Sequence, residues 1–182
     1  RAPSLVGEKI LAEHEPLSPQ WPVHGDTGYR FASLVNGLFV DPAREAEMDA
    51  AYRSFTGEDQ DFAEIVYQCK RLIIGTSLFS ELNWLVESIY RITRANRRRR
   101  DFTRNRLRLA LAEIAAGFPV YRTYLRAGDT PSAADRRHFD CAVASARRGL
   151  GGSESGVLDH VREVLLGEGE AANVPAEQRA RF

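Results

Sequence analysis

Glu8 closes a short apolar run, Leu5-Val6-Gly7, and is followed by Lys9-Ile10-Leu11. A carboxyl group at the end of a short apolar strand can sit at the mouth of a barrel, where parallel α/β barrels carry their chemistry. Two histidines, His14 and His24, and two aromatics, Trp21 and Tyr29, lie in the segment that follows. Together with His138 and His160, the histidines share no spacing that would form a triad or a metal site. Cys69 and Cys141 stand far apart without patterned Cys or His partners, so neither a disulfide framework nor a zinc site is expected. The most visible charge run is Arg94 with the four arginines 97–100. Such a run can bind phosphate, but near the end of a helix it equally suits that helix's negative C-terminal pole.

Two textures must position these residues. From residue 1 to about 39 the chain reads as strand and loop, with Pro3, Pro16, Pro19 and Pro22 excluding a long helix. Beyond it the pattern is helical. Asp41 is a suitable N-cap and Pro42 a suitable first helical residue for a helix ending near Thr56-Gly57. Phe62, Ile65, Val66, Cys69, Leu72, Ile73, Thr76, Phe79, Leu82, Val86 and Ile89 recur in steps of three and four and predict a core-facing stripe. Unbroken from 59 to 93, that helix would run roughly 50 Å at 1.5 Å per residue. Gly75-Thr76-Ser77 is where it should bend.

A third helix is predicted over 101–117, burying Leu107, Ala110, Leu111, Ile114 and Phe118 and stopped by Pro119. Tyr121 and Tyr124 are expected to pack the turn that follows. Thr130-Pro131 opens a fourth helix, with Phe139, Ala142, Val143 and Ala146 inward, and Gly149-Leu150-Gly151-Gly152 breaks it. Ser153 is the expected cap of a fifth, with Val157, Leu158, Val161 and Leu165 inward, and a last short helix begins at Pro175. The fold class is therefore mainly α: a helical bundle over 41–182 behind an N-terminal strand and loop arm over 1–40.

Composition narrows the function classes. The 182 residues, 43% of them hydrophobic, suffice for one core or for a helical domain with an arm. They fall short of the roughly 250 residues of a (β/α)8 barrel. With 25 basic and 25 acidic side chains the formal charge is zero, which does not favour general attraction to nucleic acid or an anionic membrane. No apolar stretch approaches the ~20 residues of a membrane span and no signal peptide is visible, so a cytoplasmic setting is the default. The chain starts at Arg1 without an initiator Met and is read as a piece of a longer enzyme.

Glu8-Lys9-Ile10-Leu11, Trp21-Pro22-Val23, Thr27-Gly28-Tyr29, Phe31 and the run from Leu34-Val35-Asn36-Gly37 to Asp41-Pro42 together resemble the maltooligosyl trehalose synthases of the α-amylase superfamily. The resemblance continues through Tyr52-Arg53-Ser54-Phe55-Thr56-Gly57, Lys70-Arg71-Leu72, Ser80-Glu81-Leu82-Asn83, Arg100-Asp101-Phe102-Thr103 and Phe118-Pro119-Val120-Tyr121-Arg122-Thr123-Tyr124, and it weakens from about Gly128. It departs at Gly7, where a β-branched residue is expected, and at Asp26 and Arg30, where threonine and aspartate are.

The resemblance implies that Glu8 is the general acid/base at the end of a barrel strand, with the nucleophilic carboxylate and a third acid outside these 182 residues. It makes the arm a barrel remnant and the helices an insertion walling the active site. Trp21, Tyr29 and His24 become candidate sugar contacts, since a flat ring can stack on a sugar face. The implied reaction converts a terminal α-1,4 linkage of a maltooligosaccharide to α,α-1,1 without cofactor or metal. The excised chain should be inactive, and its uncovered apolar surface makes self-association a further expectation. The alternative is a non-catalytic helical module that binds oligosaccharide or another domain.

Overall fold

A computed structural model of the chain describes residues 3–12, 14–126 and 128–169. The helix predicted from Pro175 lies outside the described residues. The chain divides into two compact units, 1–61 and 62–182.

In the first unit no strand forms among the described residues. Its extended segments meet in a single parallel bridge between Gly7 and Asp26. The expected barrel strand is thus a one-bridge contact, since an isolated pair of extended segments is marginally stable in water without further strands or a helix to pack on. The expected loop texture up to residue 39 is also corrected. Helix α1 spans Tyr29–Gly37, beyond the last of the early prolines, with Gly28 at its N-cap at φ 116°. Asp41 caps as predicted: its side chain accepts the Ala43 N–H at 3.0 Å, opening a 3-10 turn over Pro42–Arg44 that leads into α2, Glu45–Thr56. Gly57 ends α2 in the left-handed region at φ 73°, where a side chain would be strained. Neither α1 nor α2 buries a residue.

The second unit contains α3 (Phe62–Gly75), α4 (Phe79–Ala95), α5 (Arg104–Ala116), α6 (Ala133–Leu150) and α7 (Ser155–Leu166). The predicted bend at 75–77 is a full break between α3 and α4. Helix α5 packs against α3, α4, α6 and α7. Its sequence explains this place, because Ala110, Ala112 and Ala116 let neighbours approach while Leu107, Leu111 and Ile114 fill the space, and all six are buried. At its end a Cβ on Gly117 would lie 2.9 Å from the Ser145 Cβ of α6, so this crossing requires glycine. The predicted inward sets of α6 and α7 join the same core, with Leu165 partly buried beside it.

Three expectations fail here for physical reasons. The stripe from 62 to 89 is core only from Leu82 onward; Phe62, Leu72, Ile73 and Phe79 are exposed and α3 buries nothing. Ile74 alone of its last turn packs, partly buried, against the core, and polar groups make the other inward contacts. Tyr67 Oη donates to Glu113 Oε2 at 2.8 Å, Arg71 Nε lies 3.2 Å from Glu113 Oε1, and Lys70 Nζ donates to the Phe118 carbonyl at 3.1 Å. The caps also shift. Ser132, two residues after Thr130, forms a capping box with Asp135 to start α6, while Glu154 holds the N-cap of α7 after a 3-10 turn over Gly152–Glu154. Finally, Tyr121 is 84% exposed rather than packed, and Tyr124 carries the Arg122 guanidinium over its ring at 4.9 Å.

Candidate active site

The arm around Glu8 is held by backbone hydrogen bonds. Gly7 N–H donates to the Gly25 carbonyl at 2.9 Å, Thr27 N–H to the Gly7 carbonyl at 3.2 Å, and His24 N–H to the Leu5 carbonyl at 2.8 Å. These bonds lay the segment carrying Glu8 beside residues 24–27. Side chains of extended backbone alternate between faces, and this alternation divides the motif. On one side, a Cβ at Gly7 would lie 4.0 Å from Trp21 Cζ3 and Val23 Cγ1, and Lys9 turns the same way, its Nζ 5.8 Å from the Trp21 ring centroid. Glu8 takes the other side and is exposed.

Sequence reasoning missed the polar centre of this arm. Lys9 Nζ and Glu15 Oε1 pair at 2.5 Å with side chains only 7% and 9% exposed, and Ala12 N–H donates to Glu15 Oε2 at 3.3 Å. The signal lay in Lys9 itself, one of two lysines in an arginine-rich chain, with a carboxylate six residues on. Removing either partner would strand a buried charge, so the pair fixes the segment that presents Glu8.

The other candidates are distributed unevenly around that carboxyl. Trp21 is half-buried and covers Lys9 rather than standing open as a platform. His24 is exposed, with its Nδ1 3.2 Å from the Leu5 backbone nitrogen and 3.3 Å from the Leu5 carbonyl oxygen. Tyr29 opens α1 and is half-exposed, two residues past the Thr27 that bonds Gly7. Asp26, the departure from the expected threonine, accepts the Gly28 N–H at 2.5 Å and turns the chain into α1.

The arginines of the second unit mostly join helices. Arg104 pairs with Glu87 and lies over the Tyr90 ring at 3.9 Å, and Arg108 Nε donates to Asn83 Oδ1 at 2.8 Å, tying α5 to α4. Arg99 reaches from the basic run to Glu163 of α7 at 3.7 Å. Between α6 and α7, Arg147 pairs with Asp159 and Arg162 with Asp140, beside a polar groove of 470 Å³. The Glu113 carboxylate, 5% exposed, is the most enclosed acid among the described residues of this unit. Burial and its hydrogen bond to Glu113 hold the Tyr67 phenol above its ordinary pKa, in the neutral form that donates.

The chain is thus a mainly helical protein with an acid-bearing N-terminal arm. Over 81 residues, 44% of the chain, it is 36% identical to proteins of Mycobacterium tuberculosis strains CDC 1551 / Oshkosh and ATCC 25618 / H37Rv, each named "Putative maltooligosyl trehalose synthase". The matched stretch is 11% of each relative, so the chain spans about a tenth of their length. No family model matches the chain, and no solved structure matches it.

Proposed function

We propose that this chain is part of an enzyme of trehalose biosynthesis, a maltooligosyl trehalose synthase, and that Glu8 is its general acid/base. The similarity over 81 residues supports the enzyme class, and the Glu8-Lys9-Ile10-Leu11 resemblance supports the role of Glu8. The geometry of the arm supports it: Glu8 is turned to solvent on the face opposite the closed Lys9–Glu15 pair, where a carboxyl can meet a substrate.

In the reaction a carboxylate from another part of the enzyme attacks the anomeric carbon at the terminal α-1,4 linkage, and Glu8 gives its proton to the departing oxygen. The released reducing-end glucose stays bound. Its anomeric hydroxyl then attacks the glycosyl-enzyme ester as Glu8 takes the proton back, forming the α,α-1,1 bond and freeing the carboxylate.

In a full-length enzyme carrying these residues, E8Q should lower turnover by about 10²–10⁴-fold, the worth of a positioned acid/base, with the thermal transition unchanged. Near-normal turnover overturns the role of Glu8. The second reading, an autonomous helical module that binds oligosaccharide, is favoured by the separate core of 62–182 and the polar groove between α6 and α7. Saturable binding of maltopentaose by the 182-residue chain, undiminished by E8Q, supports that reading instead.

A further inference from the structure

We propose that the loop over residues 96–103, between α4 and α5, is a lid over His160 that stays closed while the imidazole is neutral and opens when the imidazole is protonated. The proposal lies within residues 62–182 and is independent of the catalytic reading of Glu8.

His160 of α7 is 3% exposed, and Thr93 of α4, its hydrogen-bond partner, is 0% exposed. Thr93 Oγ1 gives its one hydrogen to the Ile89 carbonyl at 2.8 Å, so towards His160 Nε2, also at 2.8 Å, it acts as the acceptor. Nε2 therefore carries a proton in either charge state of the ring. Protonation leaves this bond in place and adds a full charge to a buried site, which is unfavourable until water or a counter-charge reaches it. The loop covers the site with Phe102, whose ring centroid lies 5.6 Å from that of the imidazole. Phe102 is the one apolar residue of 96–103 and packs, partly buried, against the core, while Arg97, Arg98, Arg100 and Asp101 are exposed. A segment resting on so little buried apolar surface opens at low cost.

The surrounding charges favour opening. Arg99 of the loop and Arg106 of α5 hold their guanidinium carbons 5.8 and 5.6 Å from the Phe102 ring centroid, so an imidazolium beneath that ring meets two cations. The nearby carboxylates are already engaged: Glu163 of α7 lies 3.7 Å from Arg99, and Glu154, which precedes α7, lies 2.9 Å from Arg106. On α6, Asp140 and Arg147 pair with Arg162 and Asp159 of α7, and on α4 Arg94 is exposed. Arg99 also donates to the Gly156 carbonyl at 3.5 Å and lines the polar groove between α6 and α7. Opening the lid withdraws that wall, so acid widens the groove.

The test is amide hydrogen exchange of the 182-residue chain at about pH 7.5 and 5.5, corrected for the intrinsic pH dependence of exchange. The reporters are Arg99 and Phe102, whose N–H groups bond within the loop to the Asn96 and Arg99 carbonyls, with Leu111 of α5 as the reference. Protection at Arg99 and Phe102 should fall about tenfold at the lower pH, because a histidine in the open form, with its ordinary value near 6.5, is then about ten-to-one protonated. Protection at Leu111 should not change. H160Q, which keeps an N–H for Thr93 but does not titrate, should show no pH effect in the loop. F102A, which removes the cover, should lose loop protection at both pH values, with a ratio near one between them. A wild-type ratio near one overturns the proposal, as does the same tenfold fall in H160Q or F102A. An equal fall at Leu111 would mean that the whole core opens, and slower exchange at pH 5.5 that Glu154 or Glu163 holds the imidazolium; either result overturns it too.

Discussion

Residues 1–61 and 62–182 both form amphipathic helices, but only the second unit gives them something to bury against. Helices α1 and α2 bury no residue, whereas α4, α5, α6 and α7 share one apolar cluster. The difference follows from the elements available. In the second unit α5 is small and apolar enough to be surrounded, so four other helices can close on it. The first unit has one isolated bridge, a buried ion pair and two helices. Helix α3 stands between these cases: most of its apolar side is exposed, Ile74 packs against the core, and Tyr67 and Arg71 fasten it to Glu113 of α5.

The largest effect expected from this contrast comes from the core. Ile89 is fully buried, and I89A should cost about 2–5 kcal/mol in denaturant unfolding. In dilute monomer F55A should stay within about 0.5 kcal/mol. Comparable losses would remove the distinction between the two units.

An intermediate effect belongs to the clamp on α3. E113A removes the acceptor for Tyr67 and Arg71 and should cost about 1–3 kcal/mol. The raised phenol pKa of Tyr67 adds a pH signature. Its contribution is fully present below pH 10, the ordinary phenol value, and is lost as pH rises through the higher folded value. Melting between about pH 8 and 11 should therefore show an alkaline loss that Y67F diminishes. An identical profile in the variant would mean that the phenol does not hold α3.

The smallest effect is in the arm. Gly7 has a negative or extended φ and room for a methyl group, whose nearest neighbours would be at 4.0 Å. G7A should slow amide exchange at position 7 and at Thr27 by an amount equivalent to about 0.4–1 kcal/mol. The main melting transition should not move. A shift of that transition would show the arm unfolding together with the helical core.

Much of the second unit was legible because its signals are local and redundant. The inward residues of α6, Phe139, Ala142, Val143 and Ala146, follow from helical spacing and all are buried. The break near Gly75 and the cap at Asp41 follow from backbone preferences that need no neighbour. The spacing from Phe62 to Ile73 identified an apolar face just as clearly, yet periodicity says which residues share a face and not what lies opposite it. Around Glu8 the sequence supplied the carboxyl and its aromatic neighbours. It did not reveal that Trp21 covers Lys9, or that Glu15 closes on the same ammonium.

By itself the sequence determined most of the helices after residue 41, the cap at Asp41 and most of the inward residues of α5 to α7, since spacing and local hydrogen bonding act within a few residues. It also determined that Glu8 and Lys9 face opposite ways wherever that segment is extended. Only the tertiary structure decided that Lys9 is buried and Glu8 exposed, and that Tyr67 and Arg71 of α3 meet the Glu113 carboxylate. Both outcomes depend on groups brought together from distant positions, Trp21 and Glu15 in one case and Glu113 in the other. Burial is a property of such an assembly, and no single segment encodes it.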